Sequence, residues 1–178
     1  MAHFEKTVSS EEIFNGRILR LCHDKVLLEN GETAMREVAY HPGGVCVLPI
    51  LENRDILLVR QFRYPYREET LELPAGKLNP GEDPLESGRR ELKEETGASA
   101  REFISMGVLY PSPGYCSEIL HMYLARGIDF GKQCLDEDEF LDVVRLPLEK
   151  AVQMVMDGQL PDGKTQALVL RAKLFLNL

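Results

Sequence analysis

Short apolar runs separated by turn residues dominate the chain, and in its first part they predict strands. One extended segment is predicted over Ile18–Leu28 and another over Ala34–Tyr40. Asn30-Gly31 between them is typical of a tight turn. A His-Pro-Gly-Gly sequence that begins at position 41 then marks a junction. The pattern therefore predicts a strand-rich N-terminal region of residues 1–43 and a larger domain of residues 44–178.

Beyond the junction, runs rich in Val, Ile and Leu predict buried strands, and periodic apolar positions predict helices. The predicted strands are Val45–Leu51, Asp55–Phe62, Thr70–Leu73, Phe103–Leu109 and Glu118–Leu124. An i, i+3, i+4, i+7 pattern predicts a helix that Gly158 stops; its positions are Leu148, Ala151, Val152 and Val155. A last helix is predicted over Lys164–Leu176, with one face formed by Ala167, Leu170 and Leu174. Strands alternating with helices predict a mixed sheet between helices.

A polar helix is predicted between the two groups of strands. Asp83 is a good N-cap, and Pro84 suits the first helical position. Glu86 completes the spacing of a capping box, and Gly97 can adopt the left-handed conformation that ends a helix. These signals predict a helix from Pro84 to Thr96.

Three glutamates of this helix crowd one side of it. Glu91 and Glu95 are four residues apart, and Glu94 is three residues from Glu91. Like charges at this spacing each destabilise an isolated helix by roughly a few tenths of a kcal/mol. A hard cation such as Mg²⁺ or Mn²⁺ reverses that penalty, because it prefers oxygen ligands and also binds phosphate oxygens. A solvated acidic face is the alternative for a generic run of this kind.

The offsets around the glutamates favour the metal site. From Gly76 to Ala98 the chain reads G-x5-E-x7-R-E-L-x-E-E-x-G-A, with Glu82 and Arg90 at fixed positions. This pattern resembles the signature of the Nudix hydrolases without a departure. The resemblance implies an α+β fold of the α/β/α sandwich type, in which a loop–helix–loop box binds the metals used to cleave a pyrophosphate. The implied metal ligands are Glu91, Glu94, Glu95 and the backbone carbonyl of Ala75. Arg90, counted with the catalytic residues, and Glu82 are implied to support these ligands.

Substrate contacts are predicted from segments on either side of the box. Tyr110–Glu118 and Val59–Pro65 resemble the ADP-ribose pyrophosphatase branch of the family, in which a proline lies about sixteen residues beyond the final glycine of the box; Pro113 has that offset from Gly97. A Ser-Pro-Gly turn supplies backbone N–H groups and a hydroxyl, and an arginine fork can hold two phosphate oxygens. The residues implied to bind substrate are Arg36, Arg60, Arg63, Ser112, Gly114 and Glu118. The alternatives are an ordinary connecting turn and surface arginines.

An acidic loop over residues 135–140 is the predicted source of a general base. Similar loops in the ADP-ribose branch donate a catalytic glutamate. Glu139 is preferred because it directly precedes the apolar pair Phe140-Leu141, and Glu137 is the alternate. A solvated acidic turn is the competing interpretation.

Composition restricts the cellular context. The chain of 178 residues is 44% hydrophobic, enough for one catalytic domain with a small addition. Its net charge of −8 opposes nonspecific binding to nucleic acid or an anionic membrane. It has no apolar run near the eighteen or so residues of a membrane span and no secretory pattern at its start. The four scattered cysteines are expected to be reduced thiols, so a cytoplasmic location is predicted.

The resemblance implies a Mg²⁺-dependent enzyme, with Mn²⁺ as a substitute, that hydrolyses ADP-ribose or a related nucleoside diphosphate sugar. The products from ADP-ribose are AMP and ribose 5-phosphate. A pyrophosphatase for ADP-glucose or GDP-mannose is the enzymatic alternative. A non-catalytic sensor of ADP-ribose is the alternative of another class, which the intact glutamates of the box disfavour. Members of the branch commonly form homodimers through an N-terminal sheet, so residues 1–43 are a candidate dimerisation element; an edge sheet packed on its own domain is the alternative.

Overall fold

The computed structural model describes residues 3–137 and 139–177 and divides the chain into two compact units. One unit comprises Met1–Gly43 with Tyr110–Ile119, and the other comprises Gly44–Leu109 with Leu120–Leu178. The segment 110–119, which the sequence-based division leaves in the larger domain, is thus grouped with the N-terminal strands. None of the helices in the described ranges is long and apolar enough to cross a bilayer.

The first unit is built on a three-stranded antiparallel sheet. Its strands, in the order β1-β2-β3, are β1 (Lys6–Asn15), β2 (Arg20–Leu27) and β3 (Thr33–Tyr40). Two of them confirm the predicted strands, and Gly31 takes the positive φ of +83° that the predicted turn requires. The segment 110–119 joins β3 through two bonds, from the Ala39 N–H to the Tyr115 carbonyl (2.7 Å) and from the Ser117 N–H to the Ala39 carbonyl (2.9 Å).

The second unit contains two sheets and three helices. Its strands are β4 (Gly44–Pro49), β5 (Asp55–Arg63), β6 (Glu68–Glu72), β7 (Ala75–Lys77), β8 (Ala98–Leu109), β9 (Leu120–Phe130) and β10 (Leu141–Pro147). Its helices are α1 (Pro84–Thr96), α2 (Leu148–Met156) and α3 (Gly163–Phe175). One sheet has the order β7-β4-β9-β8, in which β4 and β9 are parallel and the other pairs antiparallel. The antiparallel sheet β10-β5-β6 completes the unit.

The sheets lie between helices because successive residues of a strand point to opposite faces. In β4, Cys46 and Leu48 belong to the larger apolar cluster, which includes residues of α2 and α3. Val47 between them belongs to a second cluster with Leu92 of α1. The expected α/β/α arrangement with a mixed sheet is confirmed.

Two strands of the second unit were not predicted: β7 at Ala75–Lys77, and β10 at Leu141–Pro147, where it pairs with β5. The apolar face of the last helix was also misplaced, because Leu174 is 77% exposed. The buried face of α3 is formed instead by Thr165, Leu168, Val169 and Ala172. A polar residue, Thr165, begins this face because its hydroxyl accepts a bond from the Leu73 N–H at 2.8 Å.

Candidate active site

Helix α1 has the ends that its sequence predicts. The Asp83 carboxylate accepts bonds from the N–H groups of Leu85 (2.9 Å) and Glu86 (3.2 Å). At the other end Gly97 has φ of +69° and donates its N–H to the Lys93 carbonyl. Caps of this kind satisfy backbone groups that the helix itself leaves unpaired. They fix the register of the glutamates between them.

Arg90 organises three carboxylates beside this helix. Its Nε and Nη2 donate to the two oxygens of Glu82 at 2.8 and 3.0 Å. Its Nη1 donates to Glu91 at 2.7 Å and to Glu94 at 2.9 Å. Its Nη2 also reaches the Lys77 carbonyl at 3.2 Å, which ties helix α1 to the end of β7. The hydrogen bonds from Arg90 hold the pKa of Glu82 low, at about 2, so this carboxylate is a permanent anion that fixes the arginine.

The carboxylate of Glu91 occupies the space above Gly76. A Cβ atom at position 76 would lie 2.0 Å from the carboxyl carbon of Glu91, far inside van der Waals contact. A Cβ atom at position 76 would therefore displace the Glu91 carboxylate from its place against β7. Burial raises the pKa of Glu91 despite its bond from Arg90.

Glu95 lies deeper, with 4% of its surface exposed. One of its oxygens accepts a bond from the Ala75 N–H at 3.1 Å. Burial, reinforced by the charge of Glu91, raises the pKa of Glu95 to about 8. In the part of the chain that the structure describes, no three acidic, histidine or cysteine side chains converge as a ready coordination group. Desolvated carboxylates that repel one another nevertheless form a donor set suited to a hard divalent cation.

A short segment, Gly131–Cys134, closes the C-terminal end of helix α1. The Gly131 N–H donates to the Gly97 carbonyl at 2.6 Å, and the Cys134 N–H donates to the Glu94 carbonyl at 3.0 Å. The Gln133 side chain donates its Nε2 to the Glu95 carbonyl at 2.6 Å. We call Gly131–Cys134 the strap. The sequence gives no local signal for it, because its partners are more than thirty residues away along the chain.

The acidic loop continues directly from the strap. The side chains of Glu137 and Glu139 are both exposed, and a Glu139 oxygen accepts a bond from the Asp136 N–H at 3.3 Å. Burial is the main cause of the raised pKa values of Glu91 and Glu95, and the charge of Glu139 adds to both. Asp138 of this loop lies outside the described residues.

Comparison with known proteins identifies the family. The NUDIX domain model matches residues 40–168, and a model described as the nucleoside diphosphate sugar hydrolase N-terminal domain matches residues 5–39. The chain is a Nudix hydrolase.

Two Bacillus relatives align over 163 residues, 90% of this chain and 88% of each relative. They are the ADP-ribose pyrophosphatase of Bacillus subtilis (strain 168), at 41% identity, and the methanol dehydrogenase activator of Bacillus methanolicus, at 42%. A GDP-mannose pyrophosphatase of Yersinia enterocolitica serotype O:8 is 36% identical and covers 82% of both chains. A solved ADP compounds hydrolase superimposes with a TM-score of 0.86 at 23% identity, over 97% of this chain and 94% of that one, which shows the common fold.

The Nudix unit also contains two of the arginines implied to bind substrate. Arg60 is an exposed residue of β5. Arg63, at the end of the same strand, donates two bonds to Glu72 at 2.7 and 2.6 Å and keeps 39% of its side chain exposed. The hydrogen bonds with Glu72 raise the pKa of Arg63. The sequence analysis did not predict Glu72 as a site residue.

The other implied substrate residues belong to the first unit. Arg36 is paired with Glu5 at 2.9 and 2.5 Å. The carbonyl of Ser112 accepts bonds from two N–H groups of the following turn, and Gly114 in that turn has open space around its Cα. Glu118 lies 3.6 Å from the Nδ1 of His41. The structure thus brings the metal candidates, Arg90, Glu139 and Arg63 together in one unit, and places these four residues in the other.

Proposed function

We propose that this Nudix hydrolase cleaves the pyrophosphate bond of ADP-ribose or a related nucleoside diphosphate sugar, and that ADP-ribose yields AMP and ribose 5-phosphate. The observation that carries the proposal is the carboxylate cluster of α1, held by Arg90 beside β7. The ADP-ribose pyrophosphatase relatives and the N-terminal domain match support this substrate class. GDP-mannose is the second candidate substrate, because several relatives at 30–36% identity carry that activity in their names.

The proposed cofactor is Mg²⁺, with Mn²⁺ as a substitute. The donor set fits such an ion, since Glu91 and Glu95 are withdrawn from water and Gly76 leaves room for the Glu91 carboxylate. The proposed ligands of the ion are Glu91, Glu94, Glu95 and the Ala75 carbonyl. When bound, the ion supplies positive charge that neutralises the diphosphate and makes an attacking water more acidic.

The chain's own residues perform the remaining tasks. Arg90 holds Glu91 and Glu94 in place through the permanent anion Glu82. Glu139, or in its place Glu137, orients a water and accepts its proton as the water attacks phosphorus. The residues proposed to contact the diphosphate or the ribose are Arg36, Arg60, Arg63, Ser112, Gly114 and Glu118.

The proposal includes a homodimer formed through the first unit. Every residue of β1 is exposed, and the unit presents several large apolar side chains to solvent. These are Val8, Ile13, Phe14, Leu21 and Met35. Apolar surface of this kind favours burial against a second copy. A cytoplasmic location is also proposed, and the four free cysteines support a reducing compartment.

Hydrolysis of ADP-ribose with Mg²⁺ in ¹⁸O-labelled water tests the proposal. AMP and ribose 5-phosphate are expected, and the product that carries the label reports which phosphorus water attacks. Parallel kcat/KM measurements on GDP-mannose and ADP-glucose rank the substrates. Turnover of none of these compounds would contradict the proposed substrate class.

The Glu95→Gln variant tests the metal assignment. It is expected to keep the fold and lose nearly all turnover, because the amide removes an anionic donor. Glu86→Gln is the matched control, since Glu86 lies in the first turn of the same helix outside the cluster and is expected to retain wild-type activity. Wild-type activity of Glu95→Gln at saturating Mg²⁺ would refute the assignment.

A further inference from the structure

A buried charged group lies at the end of β6, next to the Nudix site. Glu72 is 2% exposed, and its carboxylate accepts bonds from Arg63 at 2.7 and 2.6 Å and from the Thr70 hydroxyl at 2.6 Å. Lys164 of α3 is its fourth donor and also binds Asp162 at 2.9 Å. This cluster of two acids and two bases, which we call the Glu72 cluster, therefore balances to zero net charge.

Stability alone is a weak reason for such a cluster. Removing a carboxylate and an ammonium group from water costs free energy, and their mutual attraction often does no more than offset that cost. Apolar residues of similar size frequently stabilise a protein as much. Taking away one member is costly, however, because it leaves a buried charge without its partner. The cluster is therefore best understood from what it holds in position.

The cluster holds Arg63 by one edge only. The Nε and Nη2 atoms of Arg63 face Glu72, so the Nη1 side of the fork remains directed away from it. The side chain is partly exposed, and Glu72, which holds it, lies three residues before Ala75, whose N–H binds the Glu95 carboxylate. A guanidinium held in this way presents fixed donors to an anion.

Lys164 belongs to the helix that anchors the neighbouring backbone. Thr165 accepts the Leu73 N–H at 2.8 Å, directly after Glu72 in the chain. Two residues further, the Ala75 N–H binds Glu95. The N-terminal turn of α3 thus fixes both the Glu72 side chain and the segment that leads to the metal candidates.

We propose that Glu72 is a positioning residue that holds Arg63 ready for the substrate diphosphate, and that Lys164 keeps the charge of Glu72 balanced when Arg63 also binds phosphate oxygens. Without Lys164, Arg63 would have to neutralise the buried carboxylate and the phosphate alone. With Lys164 in place, Arg63 can bind the phosphate through its Nη1 side while Nε and Nη2 stay on Glu72. The inference rests on the proposed function, since it assigns the diphosphate to Arg63.

A double-mutant cycle tests the coupling. Steady-state kinetics are measured for Glu72→Gln, Arg63→Gln and the double variant, on ADP-ribose or on whichever nucleoside diphosphate sugar the wild type hydrolyses. Glu72→Gln is expected to raise KM about tenfold, on the order of one charge-assisted bond, with kcat changed much less. The same change in the Arg63→Gln background is expected to have no further effect on KM. Equal effects in both backgrounds would overturn the inference, because they would show that Glu72 acts independently of Arg63.

Lys164→Gln tests the second half of the proposal. Arg63 then becomes the only remaining cation on Glu72 within the cluster, so we expect KM to rise in the wild-type background and to stay unchanged when Arg63 is already Gln. A rise of the same size in both backgrounds would contradict the role of Lys164. Arg145→Gln is the matched control, because Arg145 pairs with Asp55 at 2.7 Å at the opposite end of β5, and it is expected to leave KM unchanged. Where Glu72→Gln fails to fold, Glu72→Asp replaces it, since the shorter carboxylate keeps the charge but loses the contact.

An NMR measurement separates this inference from the proposed function. The Nε–H proton of Arg63 is expected to be protected from solvent exchange in the wild type and in Lys164→Gln, and to lose protection in Glu72→Gln; the Arg63→Gln spectrum assigns the signal. A signal that stays protected in Glu72→Gln overturns the positioning role, whatever the substrate. Absence of turnover with every nucleoside diphosphate sugar, with protection that still depends on Glu72, would refute the proposed function and its diphosphate while leaving the Arg63–Glu72 coupling intact.

Discussion

At the scale of single residues, the missing side chain of Gly76 leaves the space that the Glu91 carboxylate occupies. Its φ angle is not the constraint; the constraint is the Glu91 carboxylate, which fills the place of a Cβ atom. The sequence pattern shows that position 76 is a fixed glycine, but it does not show why a glycine is needed there. Contact between residues 76 and 91 arises only when β7 and α1 are packed together.

Gly76→Ala is therefore expected to displace Glu91 and to impair Mg²⁺ use. We expect the Mg²⁺ concentration for half-maximal activity to rise. We also expect kcat to fall by about a hundredfold, because a displacement of about 1 Å can cost that much in rate. Titration of activity against Mg²⁺ measures this. Gly163→Ala is the control, because a Cβ atom there meets open space. Unchanged Mg²⁺ dependence of Gly76→Ala would show that Glu91 does not need this position.

Glu139→Gln tests the assignment of the general base. Its kcat is expected to fall at least tenfold, since general-base assistance is typically worth about 10²–10⁴ in rate. Glu137→Gln, in the same exposed loop, is the matched variant and is expected to change kcat little. The reverse result would move the role to Glu137.

The Glu72 carboxylate is expected to make stability depend on pH in acid. Burial alone would raise its pKa, but hydrogen bonds and charge from Arg63 and Lys164 lower the pKa from its ordinary value of 4.5 to about 2. Because the folded pKa is depressed, the contribution is complete above the unfolded pKa of about 4.5 and is lost as pH falls towards 2. The difference corresponds to about 3 kcal/mol of unfolding free energy.

Urea denaturation between pH 7 and pH 3 checks this expectation. Glu72→Gln is expected to be less stable than the wild type at pH 7 and to approach it as pH falls, because a protonated Glu72 resembles the amide. Glu69→Gln, an exposed position of the same strand, is the control and is expected to follow the wild type throughout. A stability difference for Glu72→Gln that is independent of pH would contradict the assigned cause.

At the scale of elements, helix α1 was predictable to its ends because its signals are local. Asp83, Pro84 and Gly97 act on backbone groups within four residues of themselves. The buried face of α3 was not predictable, because it includes Thr165, whose hydroxyl binds the backbone of a residue 92 positions away. Strand β10 was missed for a related reason: it is a mostly exposed edge strand, so its sequence lacks a continuous apolar run.

Weakening the strap is expected to lower kcat in addition to the free energy of unfolding. Gln133→Ala removes one bond to the Glu95 carbonyl and is expected to cost about 1 kcal/mol of unfolding free energy. It should also lower kcat more than it changes KM, because the strap anchors the acidic loop. Gln166→Ala is the matched control, since it removes a similar amide-to-carbonyl bond of 2.7 Å to Leu160. An equal effect of both variants on kcat would show that the strap has no special part in turnover.

At the scale of the whole molecule, the hydrolytic chemistry was predictable and the recognition of substrate was not. Residues 76–98 carry the Nudix pattern in one contiguous stretch, so spacing alone identifies them. The implied substrate residues are divided between two compact units. Glu72 and Lys164 are 92 residues apart, and no spacing rule relates them.

Oligomeric state is the prediction that belongs to this scale. Light scattering coupled to size exclusion is expected to give twice the chain mass of 20.2 kDa. Phe14→Glu is expected to shift the protein towards monomer, because it places a charge on an exposed apolar position of β1. Met156→Glu, on an exposed position of α2, is the control. A wild type that is monomeric at tens of micromolar would contradict the proposed dimer.

The two ends of the β8–β9 pair lead to different parts of the chain. Ala98 lies opposite Phe130 at one end of this pair, and Leu109 lies opposite Leu120 at the other. At the end with Ala98 and Phe130, β8 follows α1 and β9 leads into the strap. At the end with Leu109 and Leu120, the segment 110–119 connects the two strands. Substitutions in the segment 110–119 are therefore expected to leave the register at Ala98 and Phe130 unaltered. The proposed substrate residues Ser112, Gly114 and Glu118 can then be exchanged without disturbing the strand ends next to α1 and the strap.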